Sequence, residues 1–265
     1  MSQTTSSLRI FFYGGLTSYR ALFNWISPAI LVPTFLIEPV FQVLFFVYVG
    51  RTAGIGNARF FLIGNAIQFA SIPCLFAIAN TIAEERRFQT LALLLVSPAR
   101  RLPLFLGRAL PVIVNGFCVA AFTVGVGALL LGVSISAGAW LPLVGVLAVA
   151  AFACTGLGML TAAIALRVRE TAVLANIVFG VLLMFCGVNV PLSELPRWMA
   201  ASAHWLPLTH GIAAARDLAA GHGGAHVSDL VAREAGLGAG YLALGTALLY
   251  YFQYEARRHA TLEIA

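Results

Sequence analysis

The stretch Ala83–Arg101, AEERRFQTLALLLVSPARR, holds Glu84, Glu85, Arg86, Arg87, Arg100 and Arg101, in a chain of 265 residues with only 16 basic and 10 acidic side chains. Around it the sequence is 60% hydrophobic and 10% charged, with a mean hydropathy of +0.92. Soluble globular proteins run at about 45–50% apolar and about 25% charged. The composition is that of an integral membrane protein, and the segment is a concentration of charge between two greasy runs. A spanning helix needs about 20 largely apolar residues. Six segments qualify, near 30–49, 60–83, 104–133, 140–166, 171–190 and 236–254, so the expected fold is a single all-α transmembrane domain over residues 1–265.

The flanks of these spans complete the layout. Residues 8–25, LRIFFYGGLTSYRALFNW, mix Arg9 and Arg20 with Tyr13, Phe23 and Trp25, as in a helix lying in the membrane interface. The polar N-terminus MSQTTSS lacks the pattern of a secretory signal peptide. Residues 191–216 are too apolar for a free loop, and Pro191, Pro196 and Pro207 forbid one continuous helix. Short re-entrant or interfacial helices are expected there. The next stretch, AAGHGGAHVSD, reads as an exposed turn region. Gly156 and Gly158 in span four and the pair Gly236 and Gly240 in span six are candidates for close helix approach.

Arginine placement gives the orientation, because cytoplasmic flanks are enriched in basic residues. With the N-terminus inside, eleven of the sixteen arginines fall on the inner side, which puts both termini in the cytoplasm of a bacterial cell membrane. Residues 84–101 are then the first cytoplasmic loop. A net charge of +6 is accounted for by this topology, and no nucleic-acid partner is expected. All basic residues are Arg. Without a lysine the chain has neither a Schiff-base nucleophile nor an ATPase phosphate-binding loop of its own. Cys74, Cys118, Cys154 and Cys186 sit in apolar runs without metal-site spacing, and His204, His210, His222 and His226 are irregularly spaced, so no metal is expected.

Two readings of the charged loop stand side by side. Its arginines could serve topology alone. Yet topology does not require Glu84 and Glu85, nor the apolar run Leu91–Val96, which is too short to span and stops at Ser97-Pro98. Such a run needs a protein surface to cover it, as in a docking element.

The stretch EERRFQTLALLLVSPARRLPLFLGRAL resembles the signature of the ABC-2 transporter permeases through Glu85, Arg86, Thr90, Leu91, Leu94, Leu95, Ser97, Pro98, Gly107 and Arg108. A second family-like pattern follows span five: Gly187, Pro191, Leu192, Leu195, Pro196, Pro207, Leu208 and Arg216. Gln89 stands where many members have glycine. The resemblance implies a permease subunit without chemistry of its own. It would be paired with a second permease subunit, a homodimer in preference to a heterodimer, and with two ATP-binding cassette subunits that carry ATP and Mg. It further implies ATPase coupling through Glu84, Glu85, Arg86, Arg87, Thr90, Leu91, Leu94 and Leu95, with a lesser contact through Arg167, Arg169 and Glu170.

Glu38 is the only acidic residue deep in an expected span, and a charge there is costly unless it faces protein or water, so contact with membrane lipid is disfavoured. It either lines a translocation path or stabilises packing near Pro39. Since the family's path is built from spans one, two and five, the path candidates are Glu38, Gln42, Gln68 and Asn176. Asn65, Asn80 and Asn115 carry the same two readings, path lining or packing, with interhelical hydrogen bonding expected for more than half of the polar span residues. The expected substrate is hydrophobic or amphipathic, drug- or antibiotic-like, and exported. The alternatives are a lipid-linked glycan or lipo-oligosaccharide, or a self-sufficient ion-coupled carrier using Glu38.

Overall fold

A computed structural model describes residues 33–54, 57–87, 101–168 and 170–259. The expected interfacial helix at 8–25 and the loop residues Thr90, Leu91, Leu94, Leu95 and Arg169 lie outside them. Among the described residues the chain is all helical. A π turn at Pro33–Ile37 leads into α1 (Glu38–Ala53), followed by α2 (Ala58–Arg87), α3 (Arg101–Leu131), α4 (Ala137–Ala165) and α5 (Thr171–Phe185). A 3-10 turn at Leu192–Glu194, α6 (Arg197–Ala203) and α7 (Thr209–Ala219) precede the long α8 (Ala225–His259).

Helix α2 is the centre of the bundle. Of its apolar window, 83% is buried, against 28% for α1 and 17% for α8, because α2 packs on α1, α3, α4, α5 and α7 together. Pro73 inside α2 is tolerated since neighbouring helices enclose it. Among the described residues, five helical stretches are long and apolar enough to cross a membrane: Phe35–Ala53, which joins the π turn to α1, and stretches of α2, α3, α4 and α8. The fifth expected span is shorter than the sequence indicated. It ends at Phe185 instead of Val190, since Gly187 takes the left-handed conformation (φ 73°) and Pro191 cannot continue the helix. At 15 residues α5 is about 22 Å long, less than the hydrocarbon thickness of about 30 Å.

Two further expectations are corrected. The turn after α7 is confined to residues 220–224, bounded by Gly221 (φ 88°) and Gly224 (φ 116°), and α8 starts at Ala225, eleven residues before the expected Gly236. Local charge supports this early start: Asp229 pairs with Arg233 at 2.9 Å one turn on, and His226 faces Asp217 at 3.7 Å. The close approach in α8 also uses other glycines. Gly236 and Gly240 have nothing within 4 Å of a Cβ position, whereas one built on Gly238 would lie 2.7 Å from Ala153 Cα and one on Gly245 2.6 Å from Leu160 N. Positions 238 and 245 are seven apart and share the face that meets α4. With no hydrophobic driving force between helices in lipid, such backbone proximity is what holds α4 to α8.

Gly238→Ala should therefore destabilise the protein by about 1–3 kcal/mol through overpacking against α4. Gly240→Ala should be neutral or slightly stabilising through helix propensity. Thermal unfolding of the two variants in the same detergent checks this, and equal melting temperatures would refute the assignment of the α4–α8 contact.

Candidate functional site

Three proline-containing breaks shape the segment between α5 and α8. Pro191 caps the 3-10 turn, Pro196 caps α6, and Pro207 precedes Leu208, whose backbone has φ 80°, the only positive φ outside glycine among the described residues. That strained conformation aims the Leu208 N–H at Glu234 on α8, which accepts it at Oε1 over 2.6 Å, while Gly211 N–H donates to Oε2 over 3.0 Å. The Glu234 carboxylate is fully buried and sits at the N-terminus of α7, where unpaired N–H groups and the helix dipole favour negative charge. Gly211 lies against the carboxylate: a Cβ there would make an ordinary contact, 3.5 Å from the carboxylate carbon.

The other end of α7 is held by a second, half-buried charge. Arg216 donates to Gly187 O (2.8 Å), Val188 O (2.8 Å) and Phe60 O (3.1 Å), and its guanidinium lies 3.5 Å over the Phe60 ring. Two of these carbonyls are freed by the early end of α5, so a break in one helix is closed by the side chain of another. Neither Glu234 nor Arg216 has an oppositely charged partner among the described ion pairs; backbone groups bond both carboxylate oxygens of Glu234 and both terminal nitrogens of Arg216, whose Nε has no hydrogen-bond partner among the described residues.

A chain of amides lies next to this hairpin. Gln42 on α1 donates to Asn65 Oδ1 (3.2 Å), and Asn65 Nδ2 donates to Asn189 Oδ1 (2.8 Å) and Phe61 O (2.9 Å). Of the path candidates, the structure thus connects Gln42 to the segment after α5. Gln68, one turn below Asn65, is fully buried, and neither amide atom has a hydrogen-bond partner among the described residues. Glu38 is exposed on the first turn of α1, in line with the exposed Phe41, Phe45 and Tyr48. Asn176 is exposed on α5 and its side chain bonds back to Ala172 O.

The expectation that Glu38 is the one deep acidic residue fails on Glu234. Placing the start of span six at Gly236 left Glu234 in a loop; the i,i+4 pair Asp229 and Arg233, a helix-forming spacing, was the signal that could have moved it inside.

At the opposite end, Glu84, Glu85, Arg86 and Arg87 fall on the last turn of α2. Arg167, in the short connection from α4 to α5, pairs with Glu255 of α8 and lies 5.0 Å over the Phe252 ring. The neighbouring carboxylate holds Arg167 above its ordinary pKa range, so it stays charged. Glu170 is exposed just before α5. No group of three metal-ligating side chains occurs among the described residues, and His204 and His210 stack on each other at 5.6 Å.

Arg216→Met should leave the carbonyls of Gly187, Val188 and Phe60 short of donors at about 1–3 kcal/mol for each one kept from water. A clear fall in melting temperature and faster proteolysis after α5 are expected, with Arg216→Lys rescuing only in part because it lacks the planar fork. Wild-type stability in Arg216→Met would show the contacts to be dispensable.

With this geometry in place, comparison with known proteins becomes specific. No curated protein matches the chain. The sequence model of the ABC-2 type transporter family matches residues 10–219, a range that runs through α1 to the last residue of α7. The match covers well over half of the chain, and the protein belongs to the ABC-2 type transporter family.

Proposed function

We propose that this permease subunit of an ABC-type transporter exports a hydrophobic or amphipathic, drug- or antibiotic-like molecule, driven by ATP hydrolysis on two copies of a separate ATP-binding cassette subunit. Partnership with such a subunit follows from the family; copy number, direction and substrate are the proposal. The observation that carries it is the continuity of α2. Its 30 residues make a rod about 45 Å long, which outreaches a hydrocarbon core of about 30 Å. Its inner end bears Glu84, Glu85, Arg86 and Arg87, and its buried body touches five other helices. A push on those charges by a closing ATPase would be delivered along one helix to the middle of the bundle, where Pro73 interrupts its hydrogen-bond ladder.

The substrate would pass between two copies of the chain. The exposed residues Phe41, Phe45 and Tyr48 on α1 and Val173, Ile177 and Met184 on α5 supply apolar faces for a homodimer, with Glu38, Gln42 and Asn176 as path candidates on those faces and Gln68 buried inside the protomer behind them. The α1 aromatics form a short stripe instead of a continuous lining, which favours a compact amphipathic molecule over a lipid-linked glycan. Arg167 contributes to the cytoplasmic face by tying the α4–α5 connection to α8. ATP and Mg belong to the partner, and this chain has a transport role, in the bacterial cell membrane.

Purification of the tagged chain from its own host should bring down an ATP-binding subunit in stoichiometric amount, lost when Glu84 to Arg87 become alanine. Glu85→Ala alone should lower ATP-driven transport severalfold with normal membrane insertion. ATP-independent flux without any ATPase would overturn the reading in favour of a carrier. For the orientation, a thiol placed at Ser228 should be labelled from outside and one at His259 only after permeabilisation; the reverse pattern would invert the topology.

A further inference from the structure

We propose that the trough left on α4 between α3 and α8 holds one acyl chain of an anionic phospholipid, whose headgroup sits among the arginines at the end of the same three helices. Helices α3 and α8 both pack on α4. Between them lies a cavity of about 200 Å³, lined by Leu110 and Ile113 of α3, Phe152, Thr155 and Gly156 of α4, and Leu242 of α8. All six fall inside the stretches that are long and apolar enough to span a membrane. Leu110 is 45% exposed on one wall, and Phe152 and Leu242 are half-buried, so the trough opens sideways. The one hydroxyl in the lining, on Thr155, is already bonded to Ala151 O at 2.8 Å. A lining of this kind suits hydrocarbon and would penalise a polar group.

The end of the trough selects a lipid as the occupant. Helices α4 and α8 run parallel, with Gly156 against Gly238 and Leu160 against Gly245, and α3 runs antiparallel to α4. The start of α3 therefore lies beside the ends of α4 and α8. These turns carry Arg101 and Arg108 on α3, Arg167 just after α4, and Arg257 and Arg258 on α8. The acidic residue of the same turns, Glu255, is paired with Arg167. Elsewhere at this end of the bundle Glu84 and Glu85 are offset in number by Arg86 and Arg87, and Glu170 leaves the balance positive. A basic cluster between membrane-spanning helices is the setting that takes an anionic headgroup.

The depth agrees with the charge. At 1.5 Å per residue, Arg101 is about 14 Å from Leu110 along α3, and Arg167 is about 18 Å from Thr155 along the line of α4. The hydrocarbon of one leaflet is about 15 Å deep, half of a core of about 30 Å. A phosphate held among these arginines thus brings its own acyl chain to the level of the trough. Helices α1 and α5, whose exposed apolar faces are assigned above to a second copy, do not line it.

Such a site needs neither the ATPase nor the exported molecule, and its test uses the full-length chain alone in phosphatidylcholine nanodiscs. These contain a small fraction of phosphatidylglycerol or, in parallel, of phosphatidylcholine bearing a diazirine on the acyl chain. After irradiation, peptide mapping should place phosphatidylglycerol adducts on Leu110 to Ile113, Phe152 or Leu242. Their yield should exceed that of the phosphatidylcholine probe by about fivefold or more, as expected when even one arginine engages the headgroup. The excess should shrink as salt is raised. Leu110→Trp, which fills the trough from an exposed wall position, should remove the adducts of both probes. Arg101→Gln with Arg108→Gln should bring the two probes level while labelling in the trough persists. Equal labelling by the two probes in the wild type would reduce the trough to an ordinary lipid-facing surface and overturn the proposal, as would unchanged labelling in Leu110→Trp. If Leu110→Trp fails to fold, the two probes on the wild type decide by themselves. A benzophenone side chain at position 110 that cross-links to another segment of this chain, or to a second copy, would assign the trough to protein and equally overturn it.

Discussion

One buried and one half-buried charge, each hydrogen-bonded to backbone, organise the half of this protein opposite Glu84–Arg87. Burying an ion is tolerable only when hydrogen bonds replace its water. Glu234 finds them at the start of α7 and Arg216 at the broken end of α5. The two interactions differ in what they constrain. Glu234 reads the N-terminus of a helix, a feature that exists only while α7 is formed and correctly placed. Arg216 reads free carbonyls, which exist only because α5 stops at Phe185. Each charge thus requires the irregular backbone it contacts, and each irregularity needs the charge.

Much of the architecture was legible from composition and periodicity. The helical membrane class and the short-helix character of the segment after α5 follow from apolar run length and from Pro191, Pro196 and Pro207. The site was less legible, for a physical reason. Hydropathy averages over a window, so a single buried carboxylate near a helix start is indistinguishable from one in a loop, and Glu234 was set outside while Glu38 was set inside. Which of the two is buried depends on a partner 26 residues earlier in the chain for Glu234, and no window contains it. The glycines tell the same story. Gly236 and Gly240 match a spacing, but the face they define is open, and the contact is made by Gly238 and Gly245. Spacing states which residues share a face, not which face meets a neighbour.

The bundle divides into two groups of contacts. Helices α4 and α8 form a strut, joined along their length by glycine faces and at the C-terminal end of α8 by the Arg167–Glu255 pair. Helix α2 gathers α1, α3 and α5 around itself while also packing on α4. Exposed ion pairs such as Arg167–Glu255 contribute little to stability by themselves. Their value here is positional, since the pair and the Phe252 ring fix the connection that starts α5 to the end of α8.

Helix α7 bridges the two groups. Its N-terminus is tied to α8 by Glu234, and its Arg216 is tied to Phe60 of α2 and to the segment that ends α5. Any relative movement of α2 against the α4–α8 strut must therefore stretch one of these two attachments or rotate α7 between them. The Arg216 attachment has three acceptors and a stacked ring, whereas the Glu234 attachment has two donors on one strained turn.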